Sequence, residues 1–224
     1  GQKIGVTEGP LFAVRQPNLM GRVKALPALE KGTVTFGAVC KPQHFSPDTV
    51  AYWSRILLSI DGARLLLGNV ANIPHSTRSR VRALFTESSV ADRIDFLEEP
   101  VAHGVSPVFY NSIDVLLDSV PVNGTMTTCH ALWMGVPVIS LKAPKRSGLV
   151  GACLLTAAGK PAWIADNPDQ AVQIARDLTA DFDTLSDIRA SMRDEVKNSA
   201  LMNTEDYAQK LMAALKQTVS QNPV

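Results

Sequence analysis

The sequence predicts a doubly wound α/β fold, in which helices cover both faces of a parallel sheet. Short runs of β-branched and apolar residues alternate with longer segments whose apolar residues recur every three or four positions. The short runs are apolar at consecutive positions, as strands are when helices bury them on both faces. The chain has 224 residues, of which 46% are hydrophobic, and this is enough for the core of one domain.

The first half of the chain opens with a segment, residues 1–31, that contains prolines and little periodicity. It is predicted to be a connecting segment rather than a packed element, with the binding domain spanning residues 32–224. Ser46 followed by Pro47 predicts an N-cap and the first turn of a helix. The predicted strands here are 33–36, 64–67, 93–97 and 113–118, and the predicted helices are 47–60, 77–88 and 107–111.

The second half begins with a loop that leads into a helix ending at Met134. Gly135 is predicted to cap this helix, and Pro137 to precede the next strand. The remaining predictions are strands at 138–141 and 163–164, a helix at 150–158, and three helices between 168 and 219. Ligands bind to such sheets beyond the carboxyl ends of the strands. The loops of interest are therefore 37–46, 98–106, 119–128 and 142–149.

Composition argues against several classes of protein. There are 22 Lys and Arg residues against 21 Asp and Glu, so no basic excess indicates nucleic acid as a partner. No apolar run approaches the roughly 18 residues that span a bilayer, and no signal-peptide pattern is present. Three cysteines without a Cys-x-x-Cys pair indicate a reducing, cytoplasmic compartment rather than a disulfide framework. The opening Gly1 suggests that the native chain begins earlier.

The segment 118–138 follows a predicted buried strand and opens a helix. Asn123 and Gly124 form a strong turn signal, and Thr125, Thr127 and Thr128 place hydroxyls and amide donors at the helix start. Such a terminus suits an anion such as a diphosphate. Threonine-rich segments also cap helices without binding anything, and the residues alone leave both interpretations open.

The histidines offer no metal site, because no pair has ligand spacing with an acid nearby. His44, His103 and His130 fall at the predicted binding edge and are interpreted as polar residues lining a cleft, whereas His75 is predicted to lie in a surface loop. Tyr110 and Trp133 are predicted to pack in the core rather than to stack on a base.

Residues 123–137 read Asn-Gly-Thr-Met-Thr-Thr-Cys-His-Ala-Leu-Trp-Met-Gly-Val-Pro. They resemble the signature of the O-GlcNAc transferase and SPINDLY family, whose bacterial form is close to Asn-Gly-Thr-Thr-Thr-Thr-Cys-Glu-Ala-Leu-Trp-Met-Gly-Val-Pro. The segments 34–37, 53–57 and 147–159 match the family in order and spacing. The resemblance extends from residue 28 to the C-terminus.

The resemblance implies the C-terminal half of a GT-B glycosyltransferase, a fold of two Rossmann-like halves that face each other across a cleft. This half holds the UDP part of a UDP-sugar donor similar to UDP-GlcNAc, and an N-terminal half and tetratricopeptide repeats precede it. The implied reaction is an inverting transfer to a Ser or Thr hydroxyl of a protein acceptor. It needs no obligatory metal or other cofactor, and this chain alone is expected to be inactive.

Around the diphosphate, the resemblance assigns residues position by position. The family lysine that stabilises the leaving phosphates is His44 here, and an earlier Asn or Gln of the same loop is Lys41. A family histidine near the uracil and phosphate is Ser106, and a family arginine is replaced by Leu149.

Around the nucleoside, the family's acidic residue that grips the ribose hydroxyls is His130, and Val101 and His103 occupy positions that contact the base. The nucleotide-binding geometry of the helix start is retained at Asn123, Gly124, Thr125, Thr127 and Thr128.

These substitutions leave two interpretations from different classes. In the first, the chain is the donor-binding half of an active protein O-glycosyltransferase, which the retained Asn-Gly-Thr-x-Thr-Thr loop favours. In the second, it is a non-catalytic pseudo-glycosyltransferase that serves as a binding or scaffold module, which the replacements at 44, 106, 130 and 149 favour. A sugar-nucleotide epimerase of the same architecture has no supporting motif.

Overall fold

The structure is a computed structural model, and it describes residues 12–17, 20–39, 45–68, 74–97 and 106–221. The strands are β1 (Thr35–Val39), β2 (Arg64–Gly68), β3 (Ile94–Phe96), β4 (Val115–Leu117), β5 (Val138–Leu141) and β6 (Ile164–Ala165). The helices are α1 (Pro27–Lys31), α2 (Pro47–Ser59), α3 (His75–Ala83), α4 (Pro107–Asn111), α5 (Met126–Trp133), α6 (Val150–Ala157), α7 (Pro168–Thr179), α8 (Phe182–Lys197) and α9 (Thr204–Gln221).

The strands form a parallel sheet in the order β3-β2-β1-β4-β5-β6, which confirms the predicted doubly wound fold. The chain runs outward from β1 to β3 and then returns to place β4 on the other side of β1. Phe36 of β1 is in register with Val115 of β4, and Gly37 with Leu116. The order therefore reverses between β1 and β4, and a crevice opens at such a switch point beyond the carboxyl ends of the strands.

Helix α2 forms as its sequence predicts. The Ser46 hydroxyl accepts a hydrogen bond from the Thr49 amide at 3.1 Å, and Pro47 occupies the first turn. The apolar side chains of Val50, Trp53 and Leu57, spaced three or four residues apart, are buried against the sheet. Tyr110 and Trp133 are also buried, at 0% and 5% exposure, so the prediction that they pack in the core is confirmed.

Helix α3 differs from its prediction of 77–88. It begins at His75 and ends at Ala83, and turns follow up to Ser89, whose φ is +56°. Residues 86–89 read Thr-Glu-Ser-Ser, and hydroxyl side chains compete for backbone hydrogen bonds and so weaken a helix. His75 is exposed, but it lies at the start of the helix rather than in a loop.

The prediction of an unpacked connecting segment through residue 31 is wrong for the described residues 20–31. Met20, Leu26 and Ala28 are buried in the core, and residues 27–31 form α1. The Ala28 amide donates to the Asp114 carboxylate at 2.9 Å. A single helical turn is too short to show periodicity in the sequence, so only its tertiary contacts identify it as part of the domain.

The buried Arg189 of α8 ties this segment to the sheet. Its guanidinium donates to the backbone oxygens of Lys24, Tyr110 and Ile113 at 2.9–3.0 Å. Burial lowers the pKa of Arg189 to about 10, so the group stays charged at neutral pH. Hydrogen bonds from a charged donor are stronger than neutral ones. Two of these three fix the turn that leads from α4 into β4, and the third attaches the N-terminal segment at Lys24.

Helices α7, α8 and α9 account for the C-terminal quarter, as predicted. Asn167 caps α7 and Asp181 caps α8, each accepting a backbone amide three residues further on. Over the stretches of chain that the structure covers, no helix is long and apolar enough to cross a membrane.

Candidate functional site

The candidate site is the loop that joins β4 to α5, at the carboxyl edge of the sheet. Residues 118–125 lie between these two elements, directly beside the crevice where the strand order reverses. The loop is also attached to the start of α2, because the Ser46 and Thr49 hydroxyls both donate to the backbone oxygen of Val120 at 2.6 Å. The N-terminal turn of α2 and the loop after β4 are therefore held as one unit.

Asp118 is the centre of this loop, and the sequence prediction of the site did not include it. Its carboxylate accepts hydrogen bonds from the Gly124 amide at 2.6 Å, the Ser119 amide at 3.0 Å and the Ser140 hydroxyl at 3.0 Å. Its backbone oxygen accepts from the Tyr52 hydroxyl and from the Trp53 indole. Asp118 is 4% exposed, and burial raises its pKa to about 7 against the lowering effect of these donors.

Asn123, predicted to contact the nucleotide, is turned inward. Its side-chain oxygen accepts from the Gly151 amide at 3.2 Å, and its side-chain nitrogen donates to the Ser119 oxygen at 2.9 Å. It is 6% exposed. Asn123 therefore joins the loop to the start of α6, and it shapes the site without presenting its amide to a ligand.

Gly124 and Thr128 fix the conformation at the start of α5. The Thr128 hydroxyl is buried and donates to the Gly124 oxygen at 3.1 Å. A side chain at Gly124 would collide with the Thr127 hydroxyl and approach Asp118. Position 124 therefore requires glycine, because Thr127 lies too close for a side chain. The Thr128 hydroxyl donates its hydrogen to the protein's own backbone and not to a ligand.

The backbone amides of residues 125–128 are the groups best placed to bind an anion. Within the described ranges they donate to no acceptor, and no side chain caps the helix. The side chains of Thr125 and Thr127 are partly exposed beside them. Unpaired amides at a helix N-terminus carry partial positive charge and accommodate phosphate groups. Anion binding at this helix start stays a prediction.

His130 lies one turn further along α5 than Thr127, on the same face of the helix, as a spacing of three residues dictates. Its ring is half-buried and meets the Tyr110 ring edge-on, with 6.3 Å between centroids. The Tyr110 hydroxyl in turn donates to the Thr127 oxygen at 3.2 Å. Burial lowers the pKa of His130, so the imidazole is neutral at pH 7 and can donate one hydrogen bond and accept one.

Ser106 caps α4, since its side chain accepts from the Val108 amide at 3.1 Å. It is partly exposed, so the hydroxyl can still donate outward. Leu149 is 39% exposed just before α6. The remaining predicted site residues, Lys41, His44, Val101 and His103, lie outside the described residues.

Ser140 and Gly151 also belong to the site and were not predicted. A side chain at Gly151 would overlap both the Ser140 hydroxyl and the Asp118 carboxylate, so its absence lets α6 pack close to the loop. A carboxylate directly after a buried strand was the only sequence signal for this cluster, and it did not reveal which groups the carboxylate would bind.

A cavity of about 290 Å³ opens against the same loop. Val120 and Pro121 form one wall, and Arg55 of α2 and Lys142 after β5 lie on other walls. Both cations are paired, Arg55 with Asp169 and Lys142 with Asp166 at 2.8 Å. In the part of the chain that the structure covers, no cluster of three His, Cys, Asp or Glu residues could hold a metal ion.

Comparison with known sequences identifies the family of the chain. The sequence model of glycosyl transferase family 41 matches residues 22–211. A curated relative, the probable UDP-N-acetylglucosamine--peptide N-acetylglucosaminyltransferase SPINDLY of Arabidopsis thaliana, is 32% identical over 197 residues, which are 88% of this chain and 22% of the relative. The UDP-N-acetylglucosamine--peptide N-acetylglucosaminyltransferase of Caenorhabditis elegans is 28% identical over 167 residues, 72% of this chain and 14% of that protein. The chain spans about a fifth, or less, of these relatives' length.

Among solved structures, a variant of the O-GlcNAc transferase of Thermobaculum terrenum superposes with a TM-score of 0.77 at 27% identity, over 91% of this chain and 38% of that one. Anabaena HepE in complex with UDP-glucose superposes with a TM-score of 0.54 at 14% identity, over 83% of this chain and 51% of that one. At such low identity the second likeness shows the fold alone.

Proposed function

Because the chain belongs to glycosyl transferase family 41, we propose that it is the donor-binding half of an inverting protein O-glycosyltransferase. In this proposal the chain holds the UDP part of a UDP-sugar similar to UDP-GlcNAc. The sugar passes to a Ser or Thr hydroxyl of a protein acceptor. A preceding GT-B half and tetratricopeptide repeats would belong to the longer protein, and a cytoplasmic location stays a prediction.

One observation carries the proposal, namely the row of unpaired amides at the start of α5. The amides of residues 125–128 directly follow the loop at the carboxyl edge of the sheet and have no acceptor among the described residues. Negative charge grows on the diphosphate as the bond between sugar and phosphate breaks. Donors already oriented toward that charge stabilise the transition state without reorganising. We propose that these amides serve this purpose with no obligatory metal or cofactor, and that Lys41 and His44 assist them.

The nucleoside is assigned to the side of α5 that carries His130. A diphosphate at the helix start would place the ribose one turn along the helix, where Thr127 and His130 share a face. A neutral imidazole can make one hydrogen bond to a ribose hydroxyl as donor and another as acceptor. Val101, His103 and Ser106 are proposed to surround the base.

His130 also favours the second candidate function. A carboxylate can accept a hydrogen bond from each of two ribose hydroxyls, whereas one imidazole nitrogen accepts only one. A non-catalytic domain of the same fold, serving as a binding or scaffold module, would tolerate this loss. The two candidates differ in whether the amide row still binds the nucleotide.

Calorimetric titration of UDP, UMP and uridine into the protein tests the proposal. We expect UDP to bind most tightly, because its second phosphate adds contacts with the amides at the start of α5. ADP serves as the control for the base and should bind more weakly than UDP. A wild-type protein that binds none of the uridine compounds would favour the pseudo-glycosyltransferase.

A further inference from the structure

Asp118 is the buried first residue of the loop that leads to the proposed phosphate donors. It directly follows β4, and one carboxylate oxygen accepts from both the Ser119 and the Gly124 amides. This closes residues 118–124 into a ring. The other oxygen accepts from the Ser140 hydroxyl of β5 at 3.0 Å. The loop is therefore fixed to two adjacent strands through one side chain.

The ring ends where the donors begin. Gly124, held by Asp118 at 2.6 Å, is followed directly by residues 125–128, whose amides have no acceptor in the described part of the chain. The direction of these amides depends on the backbone at Gly124. On the far side, Gly151 lies so close that a side chain there would overlap the Asp118 carboxylate.

We infer that Asp118 is a positioning residue of the donor site: it orients the amides at the start of α5 toward the diphosphate by holding Gly124. The inference rests on the proposed function, since it presumes that these amides bind UDP. Asp118 touches no reacting atom, and its effect reaches the nucleotide only through the backbone.

Replacing Asp118 with alanine leaves the Gly124 amide and the Ser140 hydroxyl without their partner. An asparagine keeps the shape, because its oxygen can accept from Gly124 and its nitrogen can donate to the Ser140 oxygen. If positioning is the role, Asp118→Ala weakens UDP binding on the order of tenfold, which is about 1.4 kcal/mol. Asp118→Asn should keep most of the wild-type affinity for UDP.

Asp114 provides the matched control at the other end of β4. It is equally buried and accepts from the Ala28 and Thr35 amides at 2.9 and 2.8 Å, but it is remote from the loop after the strand. Asp114→Ala should lower the melting temperature while UDP binding by the folded protein stays at the wild-type value.

The experiment is calorimetric titration of UDP into the full-length protein and these variants, below all of their melting temperatures. The inference is supported if Asp118→Ala binds UDP weakly while Asp114→Ala and Asp118→Asn bind it with an affinity close to that of the wild type. Wild-type affinity in Asp118→Ala, or equal losses in its alanine and asparagine variants, overturns it while the proposed function stands. A wild-type protein that does not bind UDP overturns both.

Should Asp118→Ala fail to fold, nuclear magnetic resonance of the wild type and Asp118→Asn decides the matter. The Gly124 amide resonance should shift when UDP is added to either protein. A Gly124 amide resonance that does not shift on UDP binding in either protein would show that Gly124 does not link Asp118 to the donor site. That result would overturn the inference.

Discussion

Asp114 and Asp118 lie at opposite ends of β4, and each buried carboxylate accepts hydrogen bonds from two backbone amides. Asp114 binds the amides of Ala28 and Thr35, so it joins the N-terminal segment to β1. Asp118 binds those of Ser119 and Gly124, so it closes the site loop. Burial raises the pKa of both carboxyl groups. The same chemistry therefore stabilises the base of the sheet at one end and the candidate site at the other.

Asp118 makes stability depend on pH. Its folded pKa of about 7 lies above the ordinary 3.8, so the folded state binds more protons than the unfolded chain between these values. Its contribution to the free energy of unfolding is present at low pH and is lost as pH rises through 7. The asparagine of Asp118→Asn does not titrate, so this variant does not lose stability in this way. The free energy of unfolding of the variant minus that of the wild type should therefore increase by roughly 2–4 kcal/mol between pH 4.5 and pH 8. Urea unfolding of both proteins at the two pH values measures the difference, and a constant difference would contradict the raised pKa.

Gly124→Val should abolish UDP binding. The new side chain would collide with Thr127 and displace the amides beside it, and the melting temperature should fall as well. Gly159→Ala is the control for lost stability, because the φ of +72° strains any side chain, while an added Cβ would meet no described atom within 4 Å beyond its chain neighbours. We expect Gly159→Ala to cost about 1–2 kcal/mol in stability and to bind UDP normally. Calorimetric titration of both variants compares them, and UDP binding by Gly124→Val would place the nucleotide elsewhere.

His130→Glu should strengthen recognition of the ribose. A carboxylate accepts hydrogen bonds from two hydroxyls, and a charged hydrogen bond is worth roughly 1.5–3 kcal/mol, or tenfold or more in affinity. Titration with UDP and with 2′-deoxy-UDP separates this effect from a general change in the site. The gain should be larger for UDP, and equal gains for both nucleotides would show that position 130 does not contact the ribose 2′-hydroxyl.

UDP affinity should rise as pH falls from about 8 to about 6, through protonation of His44 near the ordinary histidine pKa. His130 contributes little to this rise, because burial lowers its pKa. His44→Lys keeps its charge across the range and should flatten the response. Comparing the variant with wild type cancels the ionisation of UDP itself. An equal pH dependence of UDP affinity in wild type and His44→Lys would show that His44 is not beside the diphosphate.

The 224-residue chain alone should bind UDP but transfer no sugar. It spans 22% of the Arabidopsis relative, and the residues that bind the acceptor and take its proton are proposed to lie in the other half. Incubation with radiolabelled UDP-GlcNAc and candidate acceptor peptides measures the transfer, with the full-length protein as the positive control. Product above background from the chain alone would contradict the division into halves.

The sequence by itself determined the fold class and, from residue 33 onward, the alternation of strands and helices, and it predicted a candidate site. Alternating apolar runs and helical periodicity are local signals, and Ser46-Pro47 and Gly135 mark helix ends through the same local chemistry. The loop at residues 123–128 was also visible, because a turn followed by hydroxyl residues at a helix start is encoded in adjacent positions.

Only the tertiary structure decided what each residue of that loop does. The side chains of Asn123 and Thr128 are hydrogen-bonded to the protein's own backbone, at Gly151 and Gly124, whereas the amides of residues 125–128 have no acceptor among the described residues. Asp118 meets Ser140 across 22 positions of sequence, and Arg189 reaches Lys24 across 165. Such partners are brought together by strand order and helix packing, and no local pattern specifies them, because a hydrogen bond depends on distance in space rather than along the chain.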